Sequence, residues 1–126
     1  MSVRVTPFLM FAGRAAEAAA FYAEAFPDGA VEIVTRAGED DFGRAIIRVG
    51  GQEMTLIDSP AGHGLAFSPA LSFFVTCATP EEVDALFEAL SDGGKVLMPV
   101  DLYPFSRRFG WVEDRFGVSW QIGVGD

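Results

Sequence analysis

Cysteine and histidine are almost missing from this chain of 126 residues: Cys77 is the only cysteine and His63 the only histidine. A lone cysteine closes no disulfide within the chain, so stability must come from a packed core, and the pattern fits a reducing cytoplasm. Basic residues are scarce as well. Nine Lys and Arg face 18 Asp and Glu, for a net charge of -9. That balance lacks the basic face a nucleic-acid or anionic-membrane partner would need. Long apolar runs are absent too. GLAFSPALSFFVTCA is broken by Pro69 and too short to span a bilayer, and MSVRVTPFLMF has neither an apolar signal core nor a cleavage pattern. The expectation is a cytoplasmic protein without membrane contact. A glycine-rich nucleotide loop is also lacking: GRAAEA carries one glycine at a helix start, not a G-x-G-x-x-G.

What is abundant is apolar surface. Half of the residues are hydrophobic and 12 are Phe, which suits one folded domain with a large aromatic core or an aromatic-lined pocket. The order of these residues repeats. EAFPDG at 24–29 returns as EALSDG at 88–93, and FLMF at 8–11 falls on SFFV at 72–75. A repeat near half the chain length reads as two copies of one supersecondary unit.

Each copy has the same order of patterns. In the second, Thr79, Pro80 and Glu82 form a capping box with proline at the first helical position, and Val83, Leu86, Phe87 and Leu90 make an apolar stripe. In the first, Ala18, Phe21, Tyr22, Ala25 and Phe26 make the matching stripe before Pro27, Asp28 and Gly29 stop the helix. Strand-like runs follow at 31–36, 43–49 and 53–58, and again at 95–99, 106–113 and 118–123. The fold class is therefore α+β, with tandem βαβββ modules at 1–59 and 70–126. A linker at 60–69, rich in Gly, Pro and Ser, joins them.

This arrangement resembles the vicinal oxygen chelate superfamily, which includes glyoxalase I, extradiol dioxygenases and bleomycin-resistance proteins. Within it the chain is similar to the PhnB-like branch, whose members often bear a demethylubiquinone methyltransferase label. The likeness is carried by TPFLMFAGRAAEAAAFYAEAFP, ALSFFVTCATPEEVDALFEALSDGG and FGWVEDRFGVSWQI, which cover most of the chain. The resemblance implies a curved mixed sheet around a cavity, a homodimer, and a divalent metal held by His or Glu from the first and last strand of each module. Those ligand positions fall on Phe8, Thr55, Ser72 and Gln121. The pairing of Thr55 with Gln121 takes an offset of 66, against 64 for the helices. None of the four offers imidazole or carboxylate, so the expectation is no metal and no cofactor.

The remaining candidates are few. His63 in the linker reads as an exposed loop residue, with ligand or base as alternatives. Glu53 and Asp58 are five apart on one strand and point to opposite faces. Cys77 reads as a small buried apolar residue. The last third is aromatic, and Arg107, Phe109 and Trp111 share a strand face by period two. Facing the cavity, they would offer aromatic walls and a cation to an unidentified planar or anionic small molecule; facing a helix, they would be core. The expected ligand set is Phe8, Thr55, Ser72, Gln121, Arg107, Phe109 and Trp111. The competing reading is a metal-dependent lyase, isomerase or dioxygenase with an atypical site that includes His63 or Asp58.

Overall fold

The computed structural model describes residues 2–35, 43–59 and 65–125. The chain divides into two compact units, Met1–Leu65 and Ala66–Asp126. The first holds β1 (Phe8–Phe11), α1 (Ala15–Ala25), β2 (Ala30–Thr35), β3 (Arg44–Val49) and β4 (Gln52–Asp58). The second holds β5 (Ser72–Cys77), α2 (Pro80–Ser91), β6 (Lys95–Tyr103), β7 (Ser106–Glu113) and β8 (Ser119–Val124). Each unit is one mixed four-stranded sheet, ordered β1-β4-β3-β2 in the first and β5-β8-β7-β6 in the second. The first strand runs parallel to the fourth, and the other neighbours are antiparallel.

Alternation along the strands decides which sheet face is core. In β3 and β4, Ala45, Ile47, Val49, Met54 and Leu56 are buried beneath α1, while their sequence neighbours are not. On α1 the buried stripe is Ala15, Ala18, Ala19, Tyr22 and Phe26. Phe21 and Ala25, expected in that stripe, are only half-buried; Phe21 sits edge-on to Tyr22 at 5.7 Å between centroids. In the second unit Val83, Leu86 and Leu90 of α2 face Val112, Trp120 and Ile122. The close approach depends on Gly110: a Cβ there would stand 2.6 Å from the Phe87 ring and 2.9 Å from Val100.

The two helices are capped by different means. Thr79 Oγ1 accepts from Glu82 N, and Glu82 Oε1 accepts from the amides of Thr79 and Ala78, which completes the expected capping box. No side chain at the start of α1 caps it. Its first amide, Ala15 N, instead donates to Asp58 Oδ1 at 2.8 Å, 43 residues downstream. A carboxylate from the end of β4 thus stabilises the positive end of α1.

The recurring D-G has a physical reason in each unit. Asp28 accepts from the amides of Gly50 and Gly51, at 2.9 and 3.0 Å, in the β3–β4 turn. Asp92 pairs with Arg115 in the β7–β8 turn at 3.0 Å, and Arg115 Nε also donates to the Asp92 carbonyl. In both units the aspartate after the helix ties the helix end to the turn before the last strand.

One strand is longer than the sequence reading. β6 continues through Pro99 to Tyr103, where the pattern predicted an end at 99. β6 is the edge of its sheet, so the missing proline N–H costs no ladder bond, and register shifts flank Met98 and Asp101. His63 and most of the expected linker lie outside the described residues. Among the described residues no helix is long and apolar enough to cross a membrane.

Candidate ligand-binding face

In the second unit, α2 covers only one side of the sheet. Arg108, Gly110 and Val112 of β7 point toward α2: Arg108 pairs with Asp84 at 2.7 Å, and Gly110 underlies Phe87. The opposite, open face therefore carries Phe109, Trp111 and Glu113. The ladder fixes their neighbours: Phe109 lies across from Gly123, Trp111 from Gln121 and Glu113 from Ser119. On the other side of β8, Ser72 lies beside Ser119, Phe74 beside Gln121 and Thr76 beside Gly123. Phe109 and Trp111 thus do not pack beneath the helix. Trp120 does: it is 1% exposed and donates from Nε1 to Asp114 Oδ2 at 2.9 Å.

A hydrogen-bond chain fixes one end of this face. Trp111 Nε1 donates to Ser119 Oγ at 2.8 Å, and the Ser119 and Ser72 hydroxyls are hydrogen-bonded to each other at 2.6 Å. Ser119 is 1% exposed, so its hydroxyl is spent on these partners, while half-buried Ser72 is the accessible end. The other end is aromatic. Phe74 and Phe109 stack with centroids 6.1 Å apart, and Tyr103 and Phe105 meet Phe109 edge-on. A Cβ at Gly123 would touch Phe74 Cζ at 3.4 Å and Phe109 Cδ2 at 3.5 Å, so both rings lie over that glycine. Phe74 remains 61% exposed and Phe105 64%. Arg107 is exposed and forms no ion pair among the described residues.

On the first sheet, Phe8 and Thr55 are direct ladder partners on the open face. Phe8 is 60% exposed and Thr55 half-buried. This register corrects one sequence assignment. Phe8 pairs with Thr55 as Ser72 pairs with Ser119, so a single offset of 64 relates both ladders. The counterpart of Thr55 is Ser119, and Gln121 corresponds to Ile57. Ser119 was legible from that offset but hidden by the softer alignment of the turns.

The donor set does not suit a metal ion. Phe8 has no lone pair to give, and Thr55, Ser72 and Gln121 are neutral oxygen donors of low affinity for transition metals. Asp58 is engaged at the start of α1. Glu53 shares the open face with Thr55 but pairs with Arg48 and Arg4. Among the described residues no three His, Cys, Asp or Glu side chains come together to hold a metal. Burial raises the Cys77 thiol above its ordinary value, and Glu82 adds to the shift. That direction disfavours the thiolate a nucleophile requires.

The family model for 3-demethylubiquinone-9 3-methyltransferase matches residues 3–123. The chain belongs to that family. It is PhnB-like, and it has the fold of the glyoxalase/bleomycin-resistance/dioxygenase (vicinal oxygen chelate) proteins. A solved PhnB protein from Bacillus cereus, a supposed 3-demethylubiquinone-9 3-methyltransferase, is 40% identical with a TM-score of 0.90 over 98% of this chain and all of its own. A protein from Pseudomonas aeruginosa is 26% identical, with a TM-score of 0.85 over 98% of each chain. A glyoxylase/bleomycin resistance protein/dioxygenase domain from Frankia shares the fold at 16% identity and a TM-score of 0.72, over all of this chain and 93% of that one. No curated protein matches this PhnB-like chain significantly by sequence.

Proposed function

We propose that this PhnB-like chain binds a small molecule, without a metal ion, on the open face of the β5–β8–β7–β6 sheet, and that it acts as a homodimer in the cytoplasm. The observation that carries the reading is the composition of that face. Phe74, Phe109 and Trp111 provide aromatic surface, while Ser72 and Gln121 provide hydrogen-bonding groups between them. A mainly apolar surface with a few fixed polar groups is the usual make-up of a small-molecule site. Arg107 stands exposed nearby and suits an anionic substituent. Phe8 and Thr55 present a ring and a hydroxyl on the open face of their own sheet.

The family label names a methyltransferase. A methyl-donor site of the nucleotide-binding kind would draw on a glycine-rich loop at a helix start. Here the start of α1 follows a single glycine and is occupied by the Asp58 carboxylate. Binding, rather than methyl transfer, is therefore the reading these residues favour.

Native mass spectrometry tests it, on protein purified without chelator after growth with added zinc, nickel and iron. A dimer mass free of metal, with or without a bound organic mass, is the expected result. One metal per chain would overturn the metal-free reading and favour lyase, isomerase or dioxygenase chemistry at an atypical site.

A further inference from the structure

Gln121 holds the centre of the open face, with Phe74 on one side and Trp111 on the other as ladder partners. Each ring has its Cβ about 5 Å from that of Gln121, one on either side of β8, so two such rings could close over the amide between them. These two lean apart. The Trp111 indole turns toward Ser119, where its Nε1 is bound. The Phe74 ring turns the other way, over Gly123 and against Phe109. Both directions are fixed, one by a 2.8 Å hydrogen bond and the other by a ring stack. The carboxamide between them is half-buried and makes no hydrogen bond among the described residues.

A carboxamide presents a carbonyl acceptor and an N–H donor side by side. It matches a ligand edge with the complementary pair, and either orientation of the amide can meet such an edge. The charged groups of the face, Arg107 and Glu113 on β7 with Asp101 beside Phe109 and Lys95 beside Glu113 on β6, lie toward its two ends, so the central position is uncharged. Burying an ion there would be costly, whereas a neutral ring loses little. The geometry points to a neutral planar heterocycle with a lactam-type edge as the ligand class: its ring lies in the gap between Phe74 and Trp111, and its N–H and C=O pair with Gln121.

This inference rests on the proposed binding face, and the test separates the two. Calorimetry would compare three probes of one bicyclic outline: isoquinolin-1(2H)-one, naphthalene and 2-naphthoate. The lactam should bind at least about tenfold more tightly than naphthalene, since leaving a polar pair unmade costs at least about 1.4 kcal/mol. In Gln121→Leu that advantage should vanish while naphthalene affinity holds within about twofold, because only the amide is lost. Equal affinities for lactam and naphthalene in the unaltered protein, or an advantage that persists in Gln121→Leu, would overturn the inference and leave the binding face intact. So would tightest binding of 2-naphthoate that is lost in Arg107→Ala. Failure of all three probes to bind would overturn the face itself as well.

Discussion

Where β3 and β4 of the first unit pair on the open face, Arg48 stands opposite Glu53 and closes an ion pair at 3.5 Å, with Arg4 and Glu32 joining from either side. Where β7 and β8 of the second unit pair, Trp111 stands opposite Gln121 and Phe109 opposite Gly123. The ladders obey the same topology and the same offset. On the first face the charged groups pair with one another, whereas on the second a carboxamide between aromatic rings makes no hydrogen bond among the described residues. The two units share strand order and register, while their open faces carry different chemistry. The place to look for a ligand is the copy that carries this carboxamide.

The units also differ in how they hold the turn before the last strand, and this yields the largest expected effect. In the second unit buried Asp114 accepts from the amides of Phe116 and Val118 and from Trp120 Nε1. Asp114→Ala removes the carboxylate that these three donors share and should cost about 3 kcal/mol in urea unfolding. In the first unit Asp28 serves the turn from outside and is exposed, so Asp28→Ala should cost only about 1 kcal/mol. Equal losses would erase the distinction.

Gly110→Ala comes next. The added methyl must displace both Phe87 and Val100, an overpacking cost of about 2 kcal/mol, read as a lower unfolding midpoint. The helix caps should weigh less. Thr79→Ala and Asp58→Ala each remove one cap and should each cost about 1 kcal/mol, although one cap is local and the other arrives from a distant strand. A negligible loss for Asp58→Ala alone would mean that α1 is held by packing and not by its borrowed carboxylate. The smallest effect concerns Cys77. Its raised pKa and burial predict alkylation at pH 8 well below the rate of a free thiol, rising to the free rate in denaturant. Fast labelling of the folded protein would contradict that.

These contrasts mark what could be read from the chain and what could not. The second helix was legible to its cap, because Thr79, Pro80 and Glu82 act within four residues. The duplicated order of elements was legible because hydrophobic period and D-G stops are local signals. The first helix's cap was not, since Asp58 is 43 residues from Ala15 and only folding brings them together. β6 was cut short at Pro99 because edge position, which makes proline harmless, is a property of the sheet. At the candidate site, Ser72, Phe109, Trp111 and Gln121 were singled out from spacing and resemblance. Ser119 and Phe74 were passed over: pairing register, not residue type, brings them beside those groups.

If the open face of the second sheet receives a planar ligand, its backbone amides must sense it. The most direct measurement is a two-dimensional amide NMR titration of the full chain with isoquinolin-1(2H)-one. The largest shifts are expected at Ser72–Thr76, Phe109–Glu113 and Ser119–Gly123, together with the Gln121 side-chain amide. Saturating shifts confined to other residues, or none at millimolar probe, would contradict it.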